Sequence, residues 1–157
     1  MRRTVIIWFL FGVFVLLPAC HRETEEDRVH KVIGTVQTAA EEKKIMTILD
    51  QLSRTYRDPQ GYDYEGIKGL LAFYFYRHQK IHVYVPSQDV TVTGDGATAS
   101  FEAVLTGAAP GESAGTVLPG AFGVYRFNVD LRKAEGRWKV TSAKWERIGD
   151  QAVGGAQ

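Results

Sequence analysis

Apolar side chains recur every three or four residues in three segments of the first half of the chain, and this spacing predicts three amphipathic helices. The first segment carries Val29, Val32, Ile33, Val36 and Ala40. The second carries Ile45, Ile48, Leu49, Leu52 and Tyr56. The third, predicted as a helix from about Tyr64 to His78, carries Ile67, Leu70, Leu71, Tyr74, Phe75 and His78. Pro59 predicts a break between the second and third helices, because proline disfavours helix at the preceding residue.

After Lys80 the apolar spacing changes from helical to alternating, which predicts strands. Apolar residues alternate with polar ones over residues 81–85, 90–92, 97–105 and 125–131. In the last strand Trp138 and Val140 share one parity whereas Ala143 and Trp145 share the other, so we expect a bulge near Thr141 and Ser142. Residues 107–123 are rich in glycine, alanine and proline and are predicted to form a long loop.

Helices followed by antiparallel strands predict an α+β domain, with the N-terminal helices packed on one face of a strongly curved sheet. The segments AE (40–41), YRDP (56–59), IHVYV (81–85), GATASF (96–101) and RWKVTSAKW (137–145) resemble the nuclear transport factor 2-like superfamily. The resemblance covers about residues 28–148. It implies a cone in which three helices are wrapped by the bent sheet, with a pocket at the open end.

The N-terminal segment has the pattern of a secretory signal peptide. Arg2 and Arg3 precede an apolar run at 5–17, and Ala19 precedes Cys20. That run is shorter than the roughly 20 residues that a membrane-spanning helix needs. Leu17-Pro18-Ala19-Cys20 also resembles the bacterial lipobox, which implies that Cys20 becomes the lipid-bearing first residue of the mature protein.

The lipobox resemblance implies acyl chains on Cys20, which would anchor the protein in a membrane. His21 stands where an aspartate would signal retention in the inner membrane, so we expect the outer membrane, on its periplasmic face. We divide the chain into a signal peptide (1–19), a lipidated tether (20–27), a domain (28–149) and a flexible tail (150–157). The acidic residues 23–27 are either part of a solvated tether or the first turn of the first helix, which the helix dipole would stabilise.

Composition narrows the chemistry further. Cys20 is the only cysteine, so the domain can hold no disulfide and no cysteine-based zinc site. Removal of the signal peptide takes away Arg2 and Arg3 and moves the formal net charge from +1 to −1. The near-neutral charge and the lack of a block of basic residues argue against nucleic acid as a partner. Histidines and carboxylates show no recognisable metal-ligand spacing, and we expect neither a metal nor a cofactor.

The superfamily that the chain resembles includes ketosteroid isomerase and scytalone dehydratase, whose pockets hold acids, histidines and tyrosines. By position, the pocket candidates here are Tyr74, His78, His82, Tyr84 and Asp130, together with Glu102, Arg126 and Asn128. Strand parity argues against an active site built on Asp130, because it shares the polar face of its strand with Arg126 and Asn128. A solvated outer face explains these three residues without catalysis.

Three functional hypotheses follow. The favoured one is a non-catalytic, lipid-anchored binding or accessory module that holds a small apolar ligand in the cone or docks an envelope partner. The second is a cone-pocket isomerase, dehydratase or hydrolase that uses an aspartate or histidine as base. The third is a structural subunit of an envelope assembly, which would have a filled cone. Members of the superfamily pair through the sheet, so a homodimer would use exposed aromatics such as Tyr125 or Trp145.

The lipid anchor predicts that replacing Cys20 by serine releases the protein from the membrane fraction, because the acyl chains are attached through the cysteine thiol. Fractionation of cells followed by immunodetection measures this directly. Retention of Cys20→Ser in the membrane fraction, at the level of the unaltered chain, would contradict lipidation.

Overall fold

Three helices precede a five-stranded antiparallel sheet in a computed structural model, which describes residues 23–108 and 123–148. The α+β class is therefore confirmed. Residues 1–22, which include Cys20, lie outside the described residues, as do 109–122 in the predicted loop and the tail from 149 onward. The helices are α1 Glu25–Glu41, α2 Ile45–Gln51 and α3 Tyr64–Arg77; the strands are β1 Lys80–Tyr84, β2 Gln88–Thr93, β3 Gly96–Ala108, β4 Gly123–Ala134 and β5 Arg137–Ile148.

The acidic segment forms the first turn of α1. Thr24 caps the helix: its hydroxyl accepts a hydrogen bond from the backbone N–H of Asp27 at 3.1 Å, and the Asp27 carboxylate accepts from the backbone N–H of Thr24 at 2.9 Å. This reciprocal pair satisfies two backbone donors at the helix end. Glu25 and Glu26 lie beside it, at the positive end of the helix dipole. No helix among the described residues is long and apolar enough to cross a membrane.

The second helix is shorter than its apolar stripe suggests. It ends at Gln51, and Leu52 is extended and forms a bridge with Val140. Ser53 then donates its backbone N–H to the carbonyl of Val140 at 2.7 Å. The edge of β5 therefore supplies hydrogen bonds that compete with a further turn of helix. The third helix agrees with its predicted bounds to within one residue, and the Asp63 carboxylate caps it by accepting from the N–H of Gly66.

Strand β3 pairs with three other strands of the sheet. One of its edges pairs with β2 through residues 96–101 and with β1 through 104–108, while its other edge pairs with β4. Strand β5 then pairs with β4. Asp130 pairs with Ser142 and Leu131 pairs with Val140, which leaves Thr141 as an extra residue. The bulge predicted near Thr141 and Ser142 is therefore confirmed.

Buried side chains fill one end of the cone. We call this the proximal end and define it by the start of α1 and the hairpin between β4 and β5. Val29, Leu49 and Leu131 are almost completely buried there. Trp138 is 3% exposed, and its Nε1 donates to a Glu25 carboxylate oxygen at 2.8 Å. Lys133 donates to the other Glu25 oxygen at 2.9 Å. Hydrogen bonds from Lys133 and then Trp138 lower the pKa of Glu25 below its ordinary value.

We predict that Trp138→Ala lowers the free energy of unfolding by about 3–5 kcal/mol, because it removes a buried indole and leaves a cavity. Chemical denaturation monitored by circular dichroism measures the change. Tyr76→Ala is the matched control: Tyr76 is 90% exposed, so its loss should change stability by no more than about 0.5 kcal/mol. Equal stability of Trp138→Ala and the unaltered protein would contradict this account of the core.

Candidate ligand-binding cavity

A cavity of about 320 Å³ lies between the helices and the concave face of the sheet. The helices contribute one apolar stripe each, and the strands contribute their inward-facing alternate residues. From the helices and the segment after α2, the lining residues are Ile33, Val36, Gln37, Ala40, Ile48, Leu52, Tyr56, Ile67, Leu70, Leu71, Tyr74, Phe75 and His78. From the strands, and from Val85 just after β1, the lining residues are Ile81, Val83, Val85, Phe101, Ala103, Leu105, Tyr125, Phe127, Val129, Val140, Ala143 and Trp145.

The cavity occupies the distal end of the cone, which we define by the last turn of α3, strand β1 and the start of β4. None of the nearly fully buried residues Val29, Leu49 and Leu131 lines it, because these fill the proximal end. The bulge at Thr141 extends the lining along β5. It lets Val140 on one side and Ala143 on the other both face the helices, although alternation alone would send them to opposite faces.

Among residues 23–108 and 123–148, no charged side chain lines the cavity. Its polar members are Gln37, Tyr56, Tyr74, His78 and Tyr125. Gln37 donates its side-chain N–H to the carbonyl of Val83 at 2.7 Å. Aromatic rings form much of the wall: Phe101 stacks on Phe127 with ring centroids 5.2 Å apart. An apolar concave surface with few polar groups is the usual form of a small-molecule site.

Tyr74 and His78, two of the residues predicted for the pocket, do lie together in the cavity wall. Their rings stack with centroids 6.2 Å apart, at the end of α3. His78 is 7% exposed. Burial, followed by the nearby charges of Arg77 and Lys43, lowers its pKa, which favours the neutral imidazole. Lys43 also donates to the backbone carbonyls of Phe75 and His78, where a cation stabilises the end of the helix.

The other three predicted pocket residues lie outside the cavity. His82 and Tyr84 alternate with the inward-facing Ile81 and Val83, and Tyr84 is 65% exposed. Asp130 is exposed between two buried neighbours on β4. The structure therefore brings together two of the five candidates, and it places the remaining three on the outer face of the sheet.

The outer face also holds the remaining polar candidates. Arg126 donates to Glu102 at 2.9 Å and to Glu146 at 3.4 Å, and these contacts join three adjacent strands. The two carboxylates raise the pKa of Arg126. Ser100 donates to Asn128 at 2.9 Å. These residues form a solvated ladder, as strand parity predicted.

A buried pair, Tyr56 and Asp58, was not among the predicted site residues. The Tyr56 hydroxyl donates to Asp58 at 3.0 Å, and the other Asp58 oxygen accepts from the backbone N–H of Tyr62 at 2.9 Å. Burial, and then the bonded carboxylate, raise the pKa of Tyr56 above its ordinary value. Asp58 is thus engaged in holding its own loop. The sequence pattern predicted only a break at Pro59 and gave no signal for this pair.

Two aromatics expected to be exposed are not. Tyr125 and Trp145 are half-buried and line the cavity, so the expectation of their exposure is wrong. Trp145 lies in the inward register that follows the bulge, where it stacks on Tyr62 with centroids 6.1 Å apart. No group of three or more histidine, cysteine, aspartate or glutamate residues within 23–108 and 123–148 could hold a metal ion.

No protein-family model and no curated protein matches the chain. Solved structures do match. A nuclear transport factor 2-like superfamily protein from Salmonella enterica is 13% identical, with a TM-score of 0.66 over 84% of this chain and 96% of that one. A nuclear transport factor 2-like protein of unknown function from Pseudomonas putida is 16% identical, with a TM-score of 0.64 over 84% and 92%.

Two further solved structures also match. A candidate dehydratase of the same family from Streptomyces avermitilis is 13% identical, with a TM-score of 0.67 over 78% of this chain and 95% of that one. Bd1075 of Bdellovibrio bacteriovorus is 10% identical, with a TM-score of 0.65 over 78% of this chain. The chain spans 40% of that protein's length. At these identities the matches establish the fold, which is nuclear transport factor 2-like.

We predict that His78 makes the stability of the protein fall as the pH drops below about 6.5. The pKa of His78 is lowered in the folded protein, so the unfolded chain binds more protons in this window and protonation favours unfolding. Replacing His78 by glutamine should reduce the fall in melting temperature between about pH 7.5 and 5.5. His82→Gln, at an exposed position, is the control. Parallel pH curves for His78→Gln and the unaltered protein would contradict the assignment.

Proposed function

We propose that the chain is a lipid-anchored binding protein of the bacterial cell envelope that holds a small, neutral, apolar molecule in its cone. The observation that carries the proposal is the distal cavity, which is lined by no charged residue of the part of the chain that the structure describes. A charged ligand would lose its hydration there without gaining an ionic partner. An apolar ligand would gain roughly 25 cal/mol for each Å² that it removes from water.

The polar lining residues would orient such a ligand rather than hold its charge. Tyr74 and His78 lie side by side in the wall, and each side chain has a group that can hydrogen-bond. A neutral imidazole has one nitrogen that donates a hydrogen bond and one that accepts, and the tautomer determines which is which. We therefore expect a ligand that is mainly hydrocarbon or aromatic, with one or two polar atoms at one end.

The cellular placement in this proposal comes from the N-terminal pattern. Lipid on Cys20 would tether the domain to the outer membrane, facing the periplasm. The contacts with an envelope protein or with a second copy of the chain that we considered from the sequence would then use the outer face of the sheet. Arg126 and its two glutamates occupy the centre of that face.

A cone-pocket enzyme is the second candidate, and one observation supports it. His78 is buried in the cavity wall, and its lowered pKa favours the neutral form that could accept a proton. An enzyme that uses an aspartate as its base has less support, because Asp130 is exposed on the other face of the sheet. A structural subunit with a filled cone has less support still, since the cavity measures about 320 Å³.

Native mass spectrometry of the mature domain, produced in a bacterial periplasm, tests the binding function. An extra mass that dissociates on denaturation would identify the class of ligand. A bare protein mass in every preparation, together with failure to bind added apolar probes, would overturn the proposal. If the unaltered protein converts the bound molecule to a product and His78→Gln does not, the result would favour an enzyme.

We predict that Ala143→Phe weakens ligand binding by about tenfold or more, a loss of about 1.4 kcal/mol, because its ring would occupy the cavity. Fluorescence titration with N-phenyl-naphthylamine, a neutral apolar dye, measures the affinity. Lys144→Phe is the matched control, since it adds the same ring at the next residue, which is exposed on the outer face. The sulfonated analogue, anilinonaphthalene sulfonate, should bind more weakly than the neutral dye. Equal affinities of the two variants for the neutral dye would contradict this placement of the site.

A further inference from the structure

A second and larger concave surface lies at the proximal end of the cone. This proximal groove, of about 870 Å³, is lined by the start of α1, the end of α2 and the segment after it, and the hairpin between β4 and β5. Five of its lining residues are cations and two are carboxylates, which gives a formal charge of +3. The cations are Arg28, Lys31, Arg54, Arg137 and Lys139; the carboxylates are Glu23 and Asp50. The groove therefore attracts anions, whereas the cavity excludes them.

The acidic residues around the groove are largely engaged by particular partners. Glu23 contacts Arg28 at 3.5 Å and Lys31 at 3.9 Å. Glu25 accepts from Lys133, Trp138 and Arg28. These contacts reduce the repulsion that the acidic first turn of α1 would exert on an approaching anion.

Of the remaining cations, Arg54 and Arg137 are available to an external partner, whereas Lys139 is engaged by the backbone. Within residues 23–108 and 123–148, Arg54 and Arg137 form no ion pair, and both are exposed. Arg54 lies over the ring of Tyr64, 4.5 Å from its centroid, which fixes its position at the groove. Lys139 is half-buried and donates to the backbone carbonyl of Asp50. Its pKa is lowered, first by burial and then by the charges of Arg137 and Arg54, although Asp50 opposes this.

The position of the N-terminus relates this groove to a membrane. Three residues lie between Cys20 and Thr24, the cap of α1, so the four Cα-to-Cα steps that join them can span at most about 14 Å. Helix α1 has 17 residues and is about 25 Å long. Its last residue, Glu41, accepts a hydrogen bond from Val83, which lines the cavity at the distal end. A lipid on Cys20 would therefore lie near the groove and about one helix length from the cavity's distal side.

We propose that the proximal groove docks onto anionic phospholipid headgroups and thereby holds the distal end of the cone away from the membrane. The proposal rests on the lipid anchor of the proposed function and adds an orientation to it. The cavity then exchanges its ligand with the surrounding aqueous compartment or with a soluble partner, rather than with the leaflet that carries the anchor.

Vesicle binding by the chain from His21 onward tests the surface without any lipid on Cys20. This chain contains every residue of the hydrophobic core, which runs from Val29 to Val140. We expect it to sediment with vesicles of about 30% phosphatidylglycerol in phosphatidylcholine at low salt, because each basic residue near an anionic surface contributes favourably. Binding should fall steeply between about 50 and 300 mM salt, as screening increases.

The groove variant Lys31→Gln, Arg54→Gln, Arg137→Gln should bind these vesicles roughly 100-fold more weakly, at about fivefold for each cation removed. The matched control is Lys68→Gln, Lys80→Gln, Lys144→Gln, which has the same net charge but keeps the groove intact. Equal losses in the two triple variants would overturn the proposal, since net charge alone would then explain the binding. Groove-dependent binding of inorganic phosphate without binding to vesicles would overturn it too, by making the groove a small-anion site.

Orientation is measured by energy transfer from single labelled cysteines to a labelled lipid headgroup. The chain from His21 has no cysteine, so Ala134→Cys in the groove and Tyr76→Cys near the distal end each give one labelling site. Transfer should be stronger from residue 134 than from residue 76. Equal or reversed transfer on bound vesicles would overturn the orientation while leaving ligand binding in the cavity untouched. Failure of the cavity to bind apolar probes would overturn the binding function without changing this result.

Discussion

The cavity depends on a sheet that keeps its apolar face turned inward while it bends around the helices. Side chains alternate between the two faces of a regular strand, so an uninterrupted β5 could not place both Val140 and Ala143 inside. The extra residue at Thr141 resets the alternation, and Trp145 consequently joins the lining. The chain after α2 covers the edge of β5 at this point, where Ser53 and Arg57 donate to the carbonyls of Val140 and Thr141. The bend is thus stabilised by backbone hydrogen bonds, and the strand edge is protected from pairing with another chain.

Features encoded by local spacing were predictable from the sequence. Helical and alternating periods located the helices and strands, and the change of parity between Val140 and Ala143 located the bulge. The end of α2 could not be predicted in the same way, because Leu52 continues the helical stripe. It leaves the helix because β5 offers backbone partners, and no local pattern records the proximity of a strand about 90 residues away. The fold was therefore predictable at the level of its elements, while the exact element ends depended on tertiary contacts.

The cavity was predictable only where one element determines a side chain's direction. Tyr74 and His78 share the apolar stripe of α3, and the sequence placed both in the pocket. His82 and Tyr84 were grouped with them by position, although the alternation with Ile81 and Val83 directs both outward. Tyr56 and Asp58 required knowledge of how the loop after α2 approaches β5, which local patterns do not supply. The contrast between the apolar cavity and the basic proximal groove could not be predicted, for a related reason. Each site collects residues from separate elements, so its charge is determined only when those elements come together.

The hydrogen bonds that Lys133 and Trp138 donate to Glu25 join residues 108 and 113 positions apart. The first helix that the structure describes is therefore bonded to the last two strands that it describes. Contacts at such a distance in sequence cannot form until nearly the whole chain is available, and they slow folding relative to local contacts. For a protein proposed to be exported, this delay is useful, because an N-terminal signal can engage a translocation pore while the polypeptide is still extended. The export that we propose would be compatible with this topology, because α1 lacks these partners until β4 and β5 have been synthesised.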